Sequence, residues 1–247
     1  MRFFLTIFSI LFISCSPEKS EMNTDLKSVI KNFSKEICID ESCATVNFTW
    51  PEFEKSEIGD RLNQAIQEQL QAYFYLDSVG RTTLEEQADS YLESFRETKT
   101  DFPDMPGGWA IEVEAAISFD SLNTLTVFFT EYNYSGGAHP NSSNYFMNFD
   151  RSTGEFLSID RLILNQDKMK EIAEMAFREF HEVDPEKSLE ADGRFFLPET
   201  GFFLPNAMGF KDGKFHLIYI PYEIGSYAMG YTELEFSLEE LQGVVRM

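Results

Sequence analysis

The hydrophobic period of this chain changes once, abruptly, across Pro103-Asp104-Met105-Pro106-Gly107-Gly108, and that change narrows the folds open to it. Upstream, Ile58, Leu62, Ile66, Leu70 and Phe74 recur every four residues, with Arg61, Gln64, Gln67 and Glu68 between them. This is the stripe of an amphipathic helix, and Ser56 is placed to cap it. Thr83-Leu84-Glu85-Glu86 has the form of a capping box and opens a second helix through Leu84, Ala88, Tyr91, Leu92 and Phe95, ended by Pro103. Downstream the period falls to two. Trp109, Ile111, Val113, Ala115, Ile117 and Phe119 share one face, while Glu112, Glu114 and Ser118 point away. Asp120-Ser121-Leu122-Asn123 turns the chain, and Leu125, Val127 and Phe129 carry the alternation back, which predicts a β-hairpin.

Elements occur in blocks rather than in strict βαβ alternation, so the expected class is α+β: antiparallel sheets with helices packed on one side, in two tightly joined halves. Val29 to Trp50 reads as strand interrupted by a cysteine turn, and Pro51 closes it. Tyr145 to Phe149 and Glu155 to Ile159 are expected to pair through the Asp150-Arg151-Ser152-Thr153-Gly154 connection. A third helix, about Gln166 to His181, is expected to turn Met169, Ile172, Ala173, Ala176 and Phe180 inward. Lys211-Asp212-Gly213-Lys214 carries the Asp-Gly of a type I′ hairpin, between strands that include Phe215 to Ile220 and Thr232 to Phe236. Ser237-Leu238-Glu239-Glu240 repeats the capping-box pattern and predicts a short C-terminal helix. The break at Pro103 to Gly108 sets the expected boundary: a smaller α/β domain over 33–104 and a larger α+β domain over 105–247.

The N-terminus gives an address. Arg2 precedes an apolar run from Phe3 to Ile13, too short to span a bilayer but of the length of a signal-peptide core. It ends in Phe12-Ile13-Ser14-Cys15, a lipobox in which Phe12 stands at the position leucine usually takes. The expectation is a lipoprotein: signal peptide 1–14, lipid on Cys15, and a polar tether over 15–32, with the body held outside the cytoplasm by the lipid anchor alone. Cys38 and Cys43 remain, flanking the polar Ile39-Asp40-Glu41-Ser42. In an oxidising compartment a disulfide across this turn is favoured, with two thiol metal ligands as the alternative. The net charge is −22, and no Lys or Arg occurs from Asp101 to Asp150. Such a surface repels nucleic acid and anionic lipid and attracts basic proteins or cations.

Two segments concentrate special backbone and recognition side chains. Tyr132-Asn133-Tyr134-Ser135-Gly136-Gly137-Ala138-His139-Pro140-Asn141 combines paired glycines, free to take positive φ, with a histidine held extended before a proline. Tyr219-Ile220-Pro221-Tyr222-Glu223-Ile224-Gly225-Ser226-Tyr227-Ala228-Met229-Gly230 packs three tyrosines and a carboxylate into a strand end and loop. With Asn148-Phe149-Asp150 and Thr153-Gly154 between them, these segments make the chain resemble the extracellular region shared by lysozyme-responsive anti-sigma-V factors and peptidoglycan deacetylase C. The resemblance covers about residues 35 to 240 and is sharpest in the second half; the helix carrying Asn63 belongs to its looser first half. In the deacetylase it implies chemistry in a separate catalytic domain, expected to be absent here. In the anti-sigma factor it implies a receptor for lysozyme joined to a transmembrane segment, also expected to be absent.

These readings lead to a non-catalytic envelope lipoprotein that binds a cell-wall component or a basic wall-active protein such as lysozyme. Peptidoglycan is the other expected partner, nucleic acid is not one, and no cofactor or metal is expected. The candidate ligand-binding residues are Tyr134, Gly136, Gly137, His139, Asn141, Tyr222, Glu223, Tyr227 and Tyr231. The alternative is a hydrolase or deacetylase acting on cell-wall glycan through His139 and nearby carboxylates, with metal binding by His139 and Glu131 or Asp150 as its variant. Against it, His139, His181 and His216 fall in no HExxH spacing, and no Gly-x-Ser-x-Gly occurs. The role expected for His139 is a ring hydrogen bond to a neighbouring strand that fixes the double-glycine loop.

Overall fold

The computed structural model describes residues 26–74 and 83–247. The signal peptide, Cys15 and most of the tether therefore lie outside the described residues. The tether expected through residue 32 ends sooner, because β1 (Ser28–Ile39) already begins at Ser28. It folds back on β2 (Ser42–Phe53) in an antiparallel hairpin that pairs Cys38 with Cys43, and the two are joined by a disulfide.

From β2 the chain enters α1 (Glu57–Ala72), whose N-cap Ser56 accepts from the Gly59 N–H, and then α2 (Leu84–Asp101), where the Thr83 and Glu86 capping box closes in both directions. Asn63 on α1 grips the end of β2, its amide bonding both the N–H and the carbonyl of Phe53. The helices are a crossover. They return the chain to β3 (Trp109–Asp120), which pairs parallel with β2, as a strand must when its connection passes over the sheet. β4 (Thr124–Tyr134) and β5 (Asn141–Asp150) continue antiparallel, so the sheet order is β1-β2-β3-β4-β5. The class is α+β, and this sheet is mixed at the β2/β3 contact rather than antiparallel throughout.

One face of that sheet carries Val46, Phe48, Ile111, Val113, Val127 and Phe129 against Leu62, Ile66, Leu70 and Phe95 of the helices, forming the first core. The boundary expected at 104/105 is crossed by the β2–β3 ladder, so residues on both sides of it share one sheet and one core. A second core begins at Leu157 and continues to Val245. It is built on a three-stranded antiparallel sheet of β6 (Ala207–Lys211), β7 (Lys214–Tyr219) and β8 (Thr232–Ser237). The β6–β7 hairpin has Asp212 and Gly213 both at positive φ, as type I′ geometry requires.

The two sheets are bound closely. Asn148 donates to the Met208 carbonyl, Ser118 to the Phe210 carbonyl, and the Phe119 and Phe210 rings stack at 4.4 Å. At Gly209 an added Cβ would lie 2.6 Å from Phe146, so this contact admits only glycine. Asp150 accepts from Ser152 and from Arg246 at the far end of the chain, while Thr124 Oγ1 donates to the Arg246 carbonyl.

Several expected elements differ. Glu155 to Ile159 is not a strand: the only pairing there is an isolated bridge, Phe149 to Phe156, and α3 (Ile159–Leu162) starts at once. In α4 (Gln166–Phe180) the buried residues are Met169, Ala173 and Phe177, whereas Phe180 is 51% exposed. After α5 (Leu189–Asp192) and β8, no C-terminal helix forms. The Ser237 and Glu240 capping bonds are present. The chain turns at Gly243 (φ 76°), however, so that Val244 and Val245 can pair with the 162–165 segment. His216 lies between Phe215 and Leu217 on β7, on the strand's other face, and is buried as they are. Its Nδ1 lies 2.9 Å from Glu233 and its Nε2 2.8 Å from the Lys211 carbonyl.

Candidate functional site

The two segments singled out in the sequence meet beside the start of β5. The first is a loop braced from within. Gly136 (φ 93°) and Gly137 (φ 108°) occupy conformations that side chains disfavour, and the Tyr134 hydroxyl donates to the Gly137 carbonyl across the bend. His139 does not bond a neighbouring strand. Its Nδ1 lies 3.0 Å from the carbonyl of Pro140, and its ring stacks on Tyr227 with centroids 4.2 Å apart. The contact that matters for this histidine is therefore with the second segment. Asp150, once paired with it as a possible metal ligand, sits at the opposite end of β5 in the Arg246 network.

The second segment carries a strained residue. Tyr222 has φ 71°, a left-handed conformation that costs a bulky residue of order 1–3 kcal/mol. Glu223 holds the turn in place: its carboxylate accepts from the Asn206 backbone and side-chain N–H groups and from the Ile220 N–H. Glu223 thus braces the loop that presents Tyr222. The strain leaves Tyr222 60% exposed, with its ring 5.6 Å from Tyr227, which opens a single 3₁₀ turn (Tyr227–Met229). His139, Tyr227 and Tyr222 form a continuous row of rings.

Beside this row lies a cleft of about 290 Å³, lined by Glu131, Asn141, Ser142, Ser143, Ile220, Pro221, Tyr222, Tyr227 and Tyr231. Of the expected residues, Asn141, Tyr222, Tyr227 and Tyr231 line it; His139 joins through Tyr227; Tyr134, Gly136 and Gly137 shape the adjoining loop. Burial is the main reason the Tyr231 phenol is harder to ionise than usual, with smaller contributions from Tyr227 and Glu131 against a hydrogen bond with Ser142. Neither Lys nor Arg is among the described residues lining the cleft.

The candidate set omitted Glu131, which is 4% exposed and pairs with Ser143 across the β4–β5 ladder, accepting from its hydroxyl at 2.6 Å. Its signal was present in the alternation: Leu125, Val127, Phe129, Glu131 is one strand face, and a carboxylate in core phase is the informative exception. Ser142 and Ser143 gave no comparable signal, since their place in the cleft depends on which strand edge the distant 220–231 loop reaches.

Comparison with known proteins follows the same division. Residues 37–142 match the family model "Deacetylase PdaC", and residues 161–239 match "Protein of unknown function (DUF3298)". Glu131, Asn141 and Ser142 come from the first match and Ile220 to Tyr231 from the second, so the cleft lies where the two meet. The Peptidoglycan-N-acetylmuramic acid deacetylase PdaC of Bacillus subtilis (strain 168) is 23% identical over 138 residues, 55% of this chain. That alignment spans 29% of the deacetylase's own length. The fold is shared with a DUF3298 family protein from Pseudomonas aeruginosa PAO1 at TM-score 0.65 and 19% identity, covering 89% of this chain and 95% of that one. It is shared equally with a DUF3298 member from Bacteroides fragilis NCTC 9343, at TM-score 0.66 and 18% identity over 90% and 94% of the chains. The resemblance read from the two loops thus holds for the deacetylase PdaC family over the first loop and for the DUF3298 family over the second.

Proposed function

We propose that this chain is a cell-wall-related envelope protein that works as a binding module, and that its cleft receives a basic wall-active protein such as lysozyme. The observation that carries this reading is the row His139, Tyr227, Tyr222 beside a cleft with a carboxylate and no basic lining residue. Exposed tyrosines offer contact area at low entropic cost. A net charge of −22 speeds the encounter with a cationic partner, within a screening length of about 8 Å at physiological salt. The match to a peptidoglycan deacetylase over the first half supports the cell-wall setting, and the reading assigns the chain no catalytic step. A lipid anchor on Cys15 would place the body at the membrane surface; a palmitate analogue should label the wild type and not Cys15→Ser.

A second reading has its own observation. Asn141, Ser142 and Ser143 set amide and hydroxyl groups next to tyrosine rings, a combination that suits sugar hydroxyls, so peptidoglycan is the competing ligand. Surface plasmon resonance separates the two. Lysozyme is expected to bind, with Tyr222→Ala and Tyr227→Ala each speeding dissociation about tenfold or more, as for central aromatic anchors. Cytochrome c, equally basic, controls for charge alone. Equal weak binding to both proteins, abolished by moderate salt, would refute the specific interaction, and retention on purified peptidoglycan in its place would favour the glycan.

A further inference from the structure

We infer that the open face of the five-stranded sheet is the surface on which a basic protein partner docks, continuous with the cleft. The inference rests on the binding reading above and adds the surface that holds the partner. Strand register lays two polar ladders across this face. Ser34, Asn47, Glu112, Tyr132 and Ser142 are successive cross-strand partners from β1 to β5. Asn32, Thr49, Glu114, Thr130 and Asn144 form the second ladder, two residues further along each strand. Side chains two apart on a strand share a face, and the opposite face sends Val46, Phe48, Val113 and Phe129 into the first core. The second sheet docks on one end of the open face, through Phe146 and Asn148. Asn32, Ser34, Asn47, Glu112, Glu114 and Tyr132 are exposed.

The charge on this face is left uncompensated. Elsewhere acids are paired within the chain: Glu52 with Lys31, Asp120 with Arg151 and Glu235 with Lys214. Glu112 and Glu114 stand two residues apart on one face, and among the described residues neither has an ion-pair or side-chain hydrogen-bond partner. Their cross-strand neighbours Asn47, Tyr132, Thr49 and Thr130 are neutral. Like charges so placed repel, an arrangement that suits a surface whose counter-charge comes from outside. Neither ladder holds a Lys or Arg. Lys211, at the border over the Phe128 ring, is already paired with Asp212 and Glu233. A cationic protein therefore complements the face, whereas a second copy of the chain would bring the same acids, and peptidoglycan has carboxylates of its own. Size points the same way. A protein partner covers about 800 Å² and roughly 20–30 residues on each side, more than the nine that line the cleft. The ladders cross four inter-strand steps of about 4.8 Å, roughly 19 Å in all. The first of them ends at Ser142, which lines the cleft and bonds Tyr231. A partner anchored on the cleft tyrosines thus passes over Tyr132 to reach Glu112 and Glu114.

The test uses lysozyme as the basic protein and the folded chain carrying the photo-cross-linker p-benzoylphenylalanine in place of Asn47 or, as a control, of Glu97. Glu97 is exposed on α2, a helix that packs against the other face of the sheet. A cross-link to lysozyme is expected at 47 and not at 97. In surface plasmon resonance, Glu112→Gln/Glu114→Gln should weaken lysozyme about tenfold or more, the scale of hydrogen bonds to charged groups. Glu97→Gln/Asp101→Gln removes the same charge from α2 and should change affinity less than about twofold, since screening leaves it only a distant effect. Lysozyme that binds without cross-linking at 47 overturns the inference and leaves the cleft reading standing. Equal loss of affinity in the two double variants also overturns it, as generic electrostatics. Lysozyme that does not bind the wild type ends both readings. Cross-linking at 47 to a second copy of the chain, or to peptidoglycan fragments in place of lysozyme, overturns it in favour of that occupant. The cross-link is read with Glu112 and Glu114 intact, so a poorly folding double variant does not leave the inference open.

Discussion

The two cores draw on the same aromatic-rich composition and are assembled differently. In the first, apolar residues arrive at fixed intervals from regular elements: every second residue in β3 and β4, every fourth in α1. In the second, the centre is Phe177 of α4, and three of its four ring neighbours come from separate stretches. Phe195 and Phe202 lie in chain without helix or strand, at 4.9 and 5.3 Å, and Tyr219 ends β7 at 5.5 Å. Regular elements bury a stripe that a partner element covers, whereas the second core depends on irregular chain being held in place by the rings it carries. The tyrosines that line the candidate cleft belong to that irregular half, on a loop whose strain the surrounding contacts must sustain.

The largest expected effect therefore comes from Phe177→Ala. Removing a fully buried phenylalanine costs about 3–5 kcal/mol, and here irregular chain with no ladder of its own must absorb the cavity. Urea denaturation should show that loss, and native-state hydrogen exchange should locate it. Protection is expected to fall in β7 and β8 while β2 and β3 keep theirs. Equal loss in both sheets would show the two cores to be one cooperative unit and end the contrast.

Asp150 tests the junction between them. Burial alone would raise its pKa, but hydrogen bonds from the Ser152 side chain and N–H, the Arg246 guanidinium and the Thr153 N–H outweigh burial and hold the carboxyl below its usual value. Because its folded pKa is depressed, the stabilisation is complete above the unfolded value of about 4. It disappears as pH falls through the folded value. Asp150→Asn should cost about 2–3 kcal/mol at pH 7, at or below the low end for a buried pair because Arg246 is partly exposed. The variant should also lose less stability than the wild type on acidification below pH 4. Parallel acid-unfolding curves would remove Asp150 from the account of how the halves are joined.

Legibility followed the same contrast. α1, α2, β3 and β4 were readable because each buries one face, which imposes its period on the residues. Glu155 to Ile159 looked like a strand from its alternation, but Gly154 at φ 70° and the early start of α3 leave a single bridge. In α4, Phe177 and Phe180 are both compatible with an apolar stripe; only the arrival of Phe195 and Phe202 from distant chain selects Phe177. The site divides likewise. Both loops announce themselves through paired glycines and clustered tyrosines, while their meeting at the β5 edge, and the bracing of the second loop by Glu223, depend on how the second sheet docks.

The smallest expected effect separates two capping boxes with the same sequence logic. At Thr83, the hydroxyl accepts from the Glu86 N–H and the Glu86 carboxylate accepts from the Thr83 N–H, and an 18-residue helix follows. At Ser237 the corresponding bonds form with Glu240, yet the chain turns at Gly243 and gives Val244 and Val245 to the second core. A cap satisfies N–H groups that the first helical turn leaves without partners, so its value depends on the helix it starts. Thr83→Ala should cost about 1 kcal/mol, the usual value for a lost N-cap, with a measurable loss of helical circular dichroism at 222 nm. Ser237→Ala should cost less than half as much and leave the 222 nm signal unchanged, since a single turn anchored by buried valines has little helix to lose. Equal costs with equal loss of helical signal would mean that the C-terminal segment is helical in solution, and that the second core is more regular than described above.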